Sequence, residues 1–151
     1  MKDILASQTR KIVQNFYQAL ASRELETLCS LFSAQVDWYI PGNQSVAPWL
    51  GRRDGREEIE DFFNLLWQNI EPVSAQIDHI LVEGNFAIAS GEFSSKMLKT
   101  GKLYSSMFSA QFTVEREEIV RYRLQEDSYE LFKALTLARD KRYSSPFLLF
   151  F

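Results

Sequence analysis

The stretch IDHILVEGNFAIASGEFSSKM, residues 77–97, decides the fold. Within it the apolar residues stop recurring every three or four positions and begin to alternate. Ile77 to Val82 reads as a strand, Glu83-Gly84-Asn85 as a tight turn, and Phe86 to Met97 as the returning strand. The alternation continues downstream: Thr100-Gly101 turns the chain into Leu103 to Val114, and Glu115 to Glu118 turns it into Ile119 to Glu126. Upstream of Pro72 the period is helical. Leu5, Ile12, Val13, Phe16 and Leu20 share one stripe of a helix from about Lys2 to Ala21. Leu25, Leu28, Cys29 and Phe32 mark a second, shorter helix, and Gln35 to Ile40 alternates as a strand that Pro41-Gly42 ends. A loop from Pro41 to Arg53 leads to Asp54, placed to cap a third helix with Glu57 reaching back. Ile59, Phe62, Phe63, Leu66, Trp67 and Ile70 form that helix's apolar stripe. A last helix carries Tyr129, Leu131, Phe132, Leu135 and Leu137, with Asp127 as its N-cap and Glu130 at N3. Helices followed by hairpin-linked strands predict an α+β fold, with helices on one face of an antiparallel sheet.

The chain has 151 residues, enough for one domain, with 46% hydrophobic and 25% charged residues as in ordinary globular proteins. One cysteine, Cys29, leaves no internal disulfide, and one histidine, His79, leaves no poly-histidine metal site; no cofactor is expected. A net charge of −3 supplies no field to attract nucleic acid. No signal-peptide core follows Met1, and no run approaches the ~20 apolar residues of a membrane span, so a cytoplasmic location is expected. The division expected is a single domain over 1–140 and a tail over 141–151. The apolar end of that tail, Pro146 to Phe151, is too short to span a membrane and is read as docked on the domain or on a partner subunit in preference to membrane attachment.

Alternation assigns the inward face. In the third long strand Tyr104, Phe108, Ala110, Phe112 and Val114 point one way, and Ser105, Met107, Ser109, Gln111 and Thr113 point the other. The second set is uncharged and suits a wet surface or a subunit interface. In the last strand Val120, Tyr122, Leu124 and Glu126 share a face, which aims the Glu126 carboxyl at the apolar side and raises its pKa if it is unpaired. Trp38 and Ile40 face the same way from the first strand. An aromatic interior with one inward carboxyl fits a small-molecule cavity, and it fits a filled core with a carboxylate at its rim equally well.

In order along the chain, Trp38-Tyr39-Ile40-Pro41-Gly42, Pro48-Trp49-Leu50-Gly51, Gly55-Arg56-Glu57 and Phe62-Phe63 are followed by Val82-Glu83-Gly84-Asn85. Thr100-Gly101-Lys102, Phe112-Thr113-Val114 and Arg123 to Asp127 complete the series. The whole resembles the polyketide-cyclase-like (SnoaL-like) branch of the nuclear-transport-factor-2-like (NTF2-like) superfamily. The resemblance implies a curved sheet wrapped around three N-terminal helices, a ligand pocket inside the cone, and a homodimer formed through the sheet face. It implies as pocket residues Phe16, Tyr17, Trp38, Ile40, Trp49, Phe63, Trp67, Phe108, Ala110, Phe112, Tyr122 and Leu124. Relatives include ketosteroid isomerase, polyketide cyclases, limonene epoxide hydrolase and binding-only domains, so the fold does not fix the reaction. Where the isomerase carries its base this chain has Ile40, and where it carries its oxyanion donors it has Phe16 and Ala110. Tyr17 would serve only with the first helix rotated. Of the hydrolase's Asp-Arg-Asp relay only Asp127 has a counterpart. Neither specific activity is therefore expected.

Three residues remain as acid–base candidates: Glu126, Asp127 (also a natural helix cap) and His79, should its strand face turn inward. Arg52, Arg53 and Arg56 are expected near the pocket mouth, where they would make local ion pairs or attract an anion. The readings left open are a protein binding a small apolar molecule, with or without cofactor-free isomerase, cyclase or hydrolase chemistry, and a dimeric scaffold whose pocket is filled.

Overall fold

The computed structural model describes residues 2–137. The expected boundary at 140/141 and the apolar tail lie outside them. Helix α1 (Lys2–Ala21) buries Ile12, Val13 and Phe16 of its predicted stripe and Ala19 beside them, while Leu20 is half-buried and Leu5 is exposed. It closes in a Schellman-type turn: Glu24 donates its N–H to the Ala19 carbonyl at 2.9 Å and Arg23 donates to Leu20 at 3.2 Å. Arg23 holds φ 52°, the left-handed conformation in which glycine is the usual residue.

Helix α2 (Leu25–Ser30) is two residues shorter than its apolar spacing suggests, and Phe32 opens strand β1 (Phe32–Ile40). Phe32 satisfies both periods, four residues after Leu28 and in phase with Val36, Trp38 and Ile40, and the strand wins because all four then face the core. The segment expected to be loop contains a short strand, β2 (Gly51–Asp54), paired antiparallel with β1 from Ile40↔Gly51 to Asp37↔Asp54. Its three charged residues carry no apolar alternation, so only backbone pairing defines it. Helix α3 (Gly55–Asn69) begins after Asp54, whose side chain makes no capping bond. Instead the Asp54 N–H donates to Glu58 Oε2 at 3.0 Å, so Glu58 rather than Glu57 reaches back.

Strands β3 (Ile70–Glu83), β4 (Phe86–Met97), β5 (Leu103–Glu115) and β6 (Glu118–Glu126) follow, then helix α4 (Ser128–Ala134). The six strands form one curved sheet in the order β2-β1-β6-β5-β4-β3. Every pair is antiparallel except β1 and β6, which run parallel with Trp38 beside Tyr122. Strand β3 starts seven residues earlier than expected. It is the sheet edge, where Pro72 costs no ladder hydrogen bond on its open side and exposed side chains hide the alternation.

Of the four register shifts in the sheet, two bear on the phase of candidate site residues. One falls between Ile77 and His79, opposite Gly91, and the other near Val120, where Val114 pairs with Ile119 but Thr113 pairs with Arg121. At the second, Ile119 rather than Val120 is buried, while Tyr122, Leu124 and Glu126 keep the predicted inward phase. The helices pack into the concave face, where Phe16 sits within 6 Å of Tyr17, Phe32, Phe112 and Tyr122 in edge-on or tilted contacts. No helix among the described residues is long and apolar enough to cross a membrane.

Candidate functional site

The helices do not fill the cone. A cavity of about 490 Å³ remains between them and the inner faces of β4, β5 and β6, within the range that holds small ligands. The filled-scaffold expectation is not met. Its innermost wall is aromatic: Phe16, Trp38, Trp49, Phe63 and Tyr122 are buried and line it, with Tyr17, Trp67, Phe108 and Leu124 half-buried around them. Its exposed lining residues belong to the end of α1, the turn beyond it and the start of β3, so the opening lies there.

Three residues expected in the pocket are instead core. Ile40, Ala110 and Phe112 point inward but lie beneath other side chains, Phe112 under the Phe16 ring at 5.3 Å. Alternation gives the inward side but not the depth of burial on that side. Conversely, Phe62 and Leu66 widen the α3 contribution, and Phe93, Ser95 and Met97 contribute one face of β4. Those β4 residues are in phase with one another, a signal present in the sequence. Arg23, in the turn after α1, had no such signal.

Glu126 is where alternation puts it. It lies opposite Phe108 in the β5–β6 register, in phase with Tyr122 and Leu124, on the cavity wall. Among the described residues its carboxyl has no hydrogen-bond or ion-pair partner. Burial alone pushes its pKa up to about 7. Three phenols line the same cavity. Burial holds the Tyr17, Tyr104 and Tyr122 hydroxyls well above the ordinary tyrosine range, and the Glu126 charge adds to the shift of Tyr104 and Tyr122. Tyr17, across the cavity on α1, also raises Tyr122, so Tyr122 interacts electrostatically with both Tyr17 and Glu126. Tyr104 spends its hydroxyl on the Asp127 carbonyl at 3.2 Å. The Tyr17 and Tyr122 hydroxyls make no hydrogen bond among the described residues. The buried Trp38 indole N–H is likewise without an acceptor among them.

The other acid–base candidates fall elsewhere. Asp127 accepts the Glu130 N–H at 3.0 Å as the N-cap of α4, and its own N–H donates to Ser106 Oγ at 2.9 Å. It does not line the cavity. His79 is exposed on β3 and also lies off the cavity, because the bulge after Ile77 turns Ile80 and Val82 inward in its place. The three expected arginines are engaged away from the mouth. Arg52 pairs with Asp37 over the Tyr39 ring, Arg53 lies over Phe62 and donates to the Glu58 carbonyl, and Arg56 bridges Glu118 and the Phe32 carbonyl. Among the described residues no three His, Cys, Asp or Glu side chains are grouped to hold a metal.

A family model described as a SnoaL-like domain matches residues 13–122. None of the curated proteins compared with the chain matches it. Solved structures do. An NTF2-like protein of Burkholderia xenovorans superposes with a TM-score of 0.79 at 17% identity, covering 87% of this chain and 98% of its own. A candidate polyketide cyclase of Xanthomonas campestris gives 0.70 at 18%, covering 87% and 98%. An LEH-like epoxide hydrolase of M. tuberculosis gives 0.68 at 15%, covering 86% and 90%. Such identities speak for the fold alone. Taken with the family match over most of the chain, they leave one conclusion: this chain belongs to the SnoaL-like domain family and has the NTF2-like fold.

Proposed function

We propose that the protein binds a small, mostly apolar carbonyl compound in this cavity and moves a proton on it without a cofactor, in the manner of an isomerase or cyclase. The observation that carries the reading is Glu126: an unpartnered carboxyl on an apolar wall, with a pKa pushed up to about 7. A base so poised is about half ionised at neutral pH, and its conjugate acid gives the proton back readily. Glu126 takes a proton from the carbon next to the carbonyl, and the C–H electron pair moves toward the carbonyl oxygen. The neutral Tyr17 and Tyr122 hydroxyls, both free to donate, stabilise the charge that develops there. Glu126 then returns the proton to the same carbon or to a conjugated one.

The carboxyl enters from the end of β6 and the first-helix donor is Tyr17, so the arrangement differs from that of the ketosteroid isomerase, whose base and donor positions hold Ile40, Phe16 and Ala110. The reading includes a cytoplasmic homodimer that packs through the outer sheet face, where Met107 is 74% exposed. Monomeric sedimentation at micromolar concentration would count against that interface.

The test is solvent-deuterium exchange followed by proton NMR, over a panel of small aryl and unsaturated ketones. We expect exchange next to the carbonyl for members that bind, and a loss of about 10²–10⁴-fold in Glu126→Gln. Ligands that bind tightly but never exchange would leave a binding module and remove the catalytic role.

A further inference from the structure

Arg23 and Glu126 are the two charged side chains that line the cavity among the described residues. Arg23 reaches the mouth from the turn after α1. Its guanidinium carbon lies 5.4 Å from the centre of the Trp67 ring, and Trp67 itself packs against Phe63 in a tilted contact at 5.4 Å and 35°. A guanidinium held over an aromatic ring still has N–H donors for other partners, in a fork that matches an oxyanion. Among the described residues no carboxylate pairs with it. Nor does Glu126 neutralise it, since burial alone accounts for the state of that carboxyl. The backbone adds a second sign. Arg23 closes a Schellman-type turn at φ 52°, where glycine fits without strain, so an arginine is held there against local preference.

We propose that the cavity takes an organic anion: an apolar body along the aromatic wall toward Glu126, and one carboxylate or similar oxyanion gripped by Arg23 at the mouth. This rests on the cavity-binding reading above and adds the ligand's charge to it.

Two fluorescent probes with the same rings test it, 8-anilinonaphthalene-1-sulfonate and the uncharged N-phenyl-1-naphthylamine. At low salt the sulfonate is expected to bind about ten-fold tighter, as an ion pair near a surface allows, and the advantage should shrink with added salt. Arg23→Asn keeps a residue that tolerates the left-handed backbone. It should bring the sulfonate to the level of the uncharged probe, so that the ratio of the two affinities falls to about one. Ala75→Trp, which plugs the mouth, should remove both. Equal affinities in the unmodified protein, or a sulfonate preference that survives Arg23→Asn, overturns the anion site while cavity binding stands. If the uncharged probe fails to bind, or still binds with Ala75→Trp in place, the cavity-binding reading falls and the anion site falls with it.

Discussion

Replacing Glu126 by glutamine should make the folded protein more stable at neutral pH, even as it removes the proposed base. Below pH 4.5 the carboxyl is neutral in both the folded and the unfolded chain, and its burial carries no ionisation penalty. Between pH 4.5 and about 7 the unfolded chain loses the proton while the folded chain keeps it, so rising pH favours unfolding. At about 1.4 kcal/mol per pH unit, the gap between 4.5 and about 7 sets a ceiling of about 3 kcal/mol. Glu126 is half-buried rather than fully enclosed, so we expect about 2 kcal/mol of that ceiling to be realised. Glutamine cannot ionise and escapes the loss. The assay is urea unfolding of both proteins at pH 5 and at pH 8, with the difference between them taken at each pH so that all other titrations cancel. The glutamine variant should gain about 2 kcal/mol on the unmodified protein between the two pH values. Parallel stabilities across that range would refute the reasoning, because Glu126 would then be hydrated or paired in the folded state.

Three further outcomes follow from the local geometry. Arg23→Gly should raise stability by up to about 1 kcal/mol, since it relieves a left-handed non-glycine turn, and thermal unfolding reads this directly. Gly91→Ala should lower stability by about 1–3 kcal/mol, because the added methyl would sit 1.9 Å from the Gln76 carbonyl oxygen across the bulge in β3. The same denaturation series checks it. Asp127→Ala should cost about 1 kcal/mol through loss of the α4 cap. It should leave ligand binding in the cavity unchanged when measured by probe fluorescence, which separates a capping carboxylate from a catalytic one.

Sequence periodicity reached the site where strands run without interruption, and it failed where they do not. Tyr122, Leu124 and Glu126 lie beyond the β6 bulge, so one phase carries from the buried tyrosine to the carboxyl. Val120 lies at that bulge, and alternation alone could not tell it from Ile119. His79 failed for the same reason on β3: one irregular step after Ile77 exchanges the inward and outward sets. Phe32 ended a helical stripe and began a strand stripe, and only the packing of Val36, Trp38 and Ile40 on the same face decides between them. Pocket against core was not legible either, because Phe112 and Phe108 share a face and differ only in what lies above them. Arg23 was invisible because its role depends on a turn that folds back to Trp67, 44 positions on in the chain.

The account's central claim is that an apolar cavity holds Glu126 without a partner. Carbon-13 NMR titration of the ligand-free protein tests it most directly, with the Glu126 carboxyl resonance assigned by its absence in Glu126→Gln. The account predicts a midpoint near pH 7. A midpoint in the ordinary glutamate range, about 4–5, would mean that water or a cation already serves the carboxylate, and would contradict it.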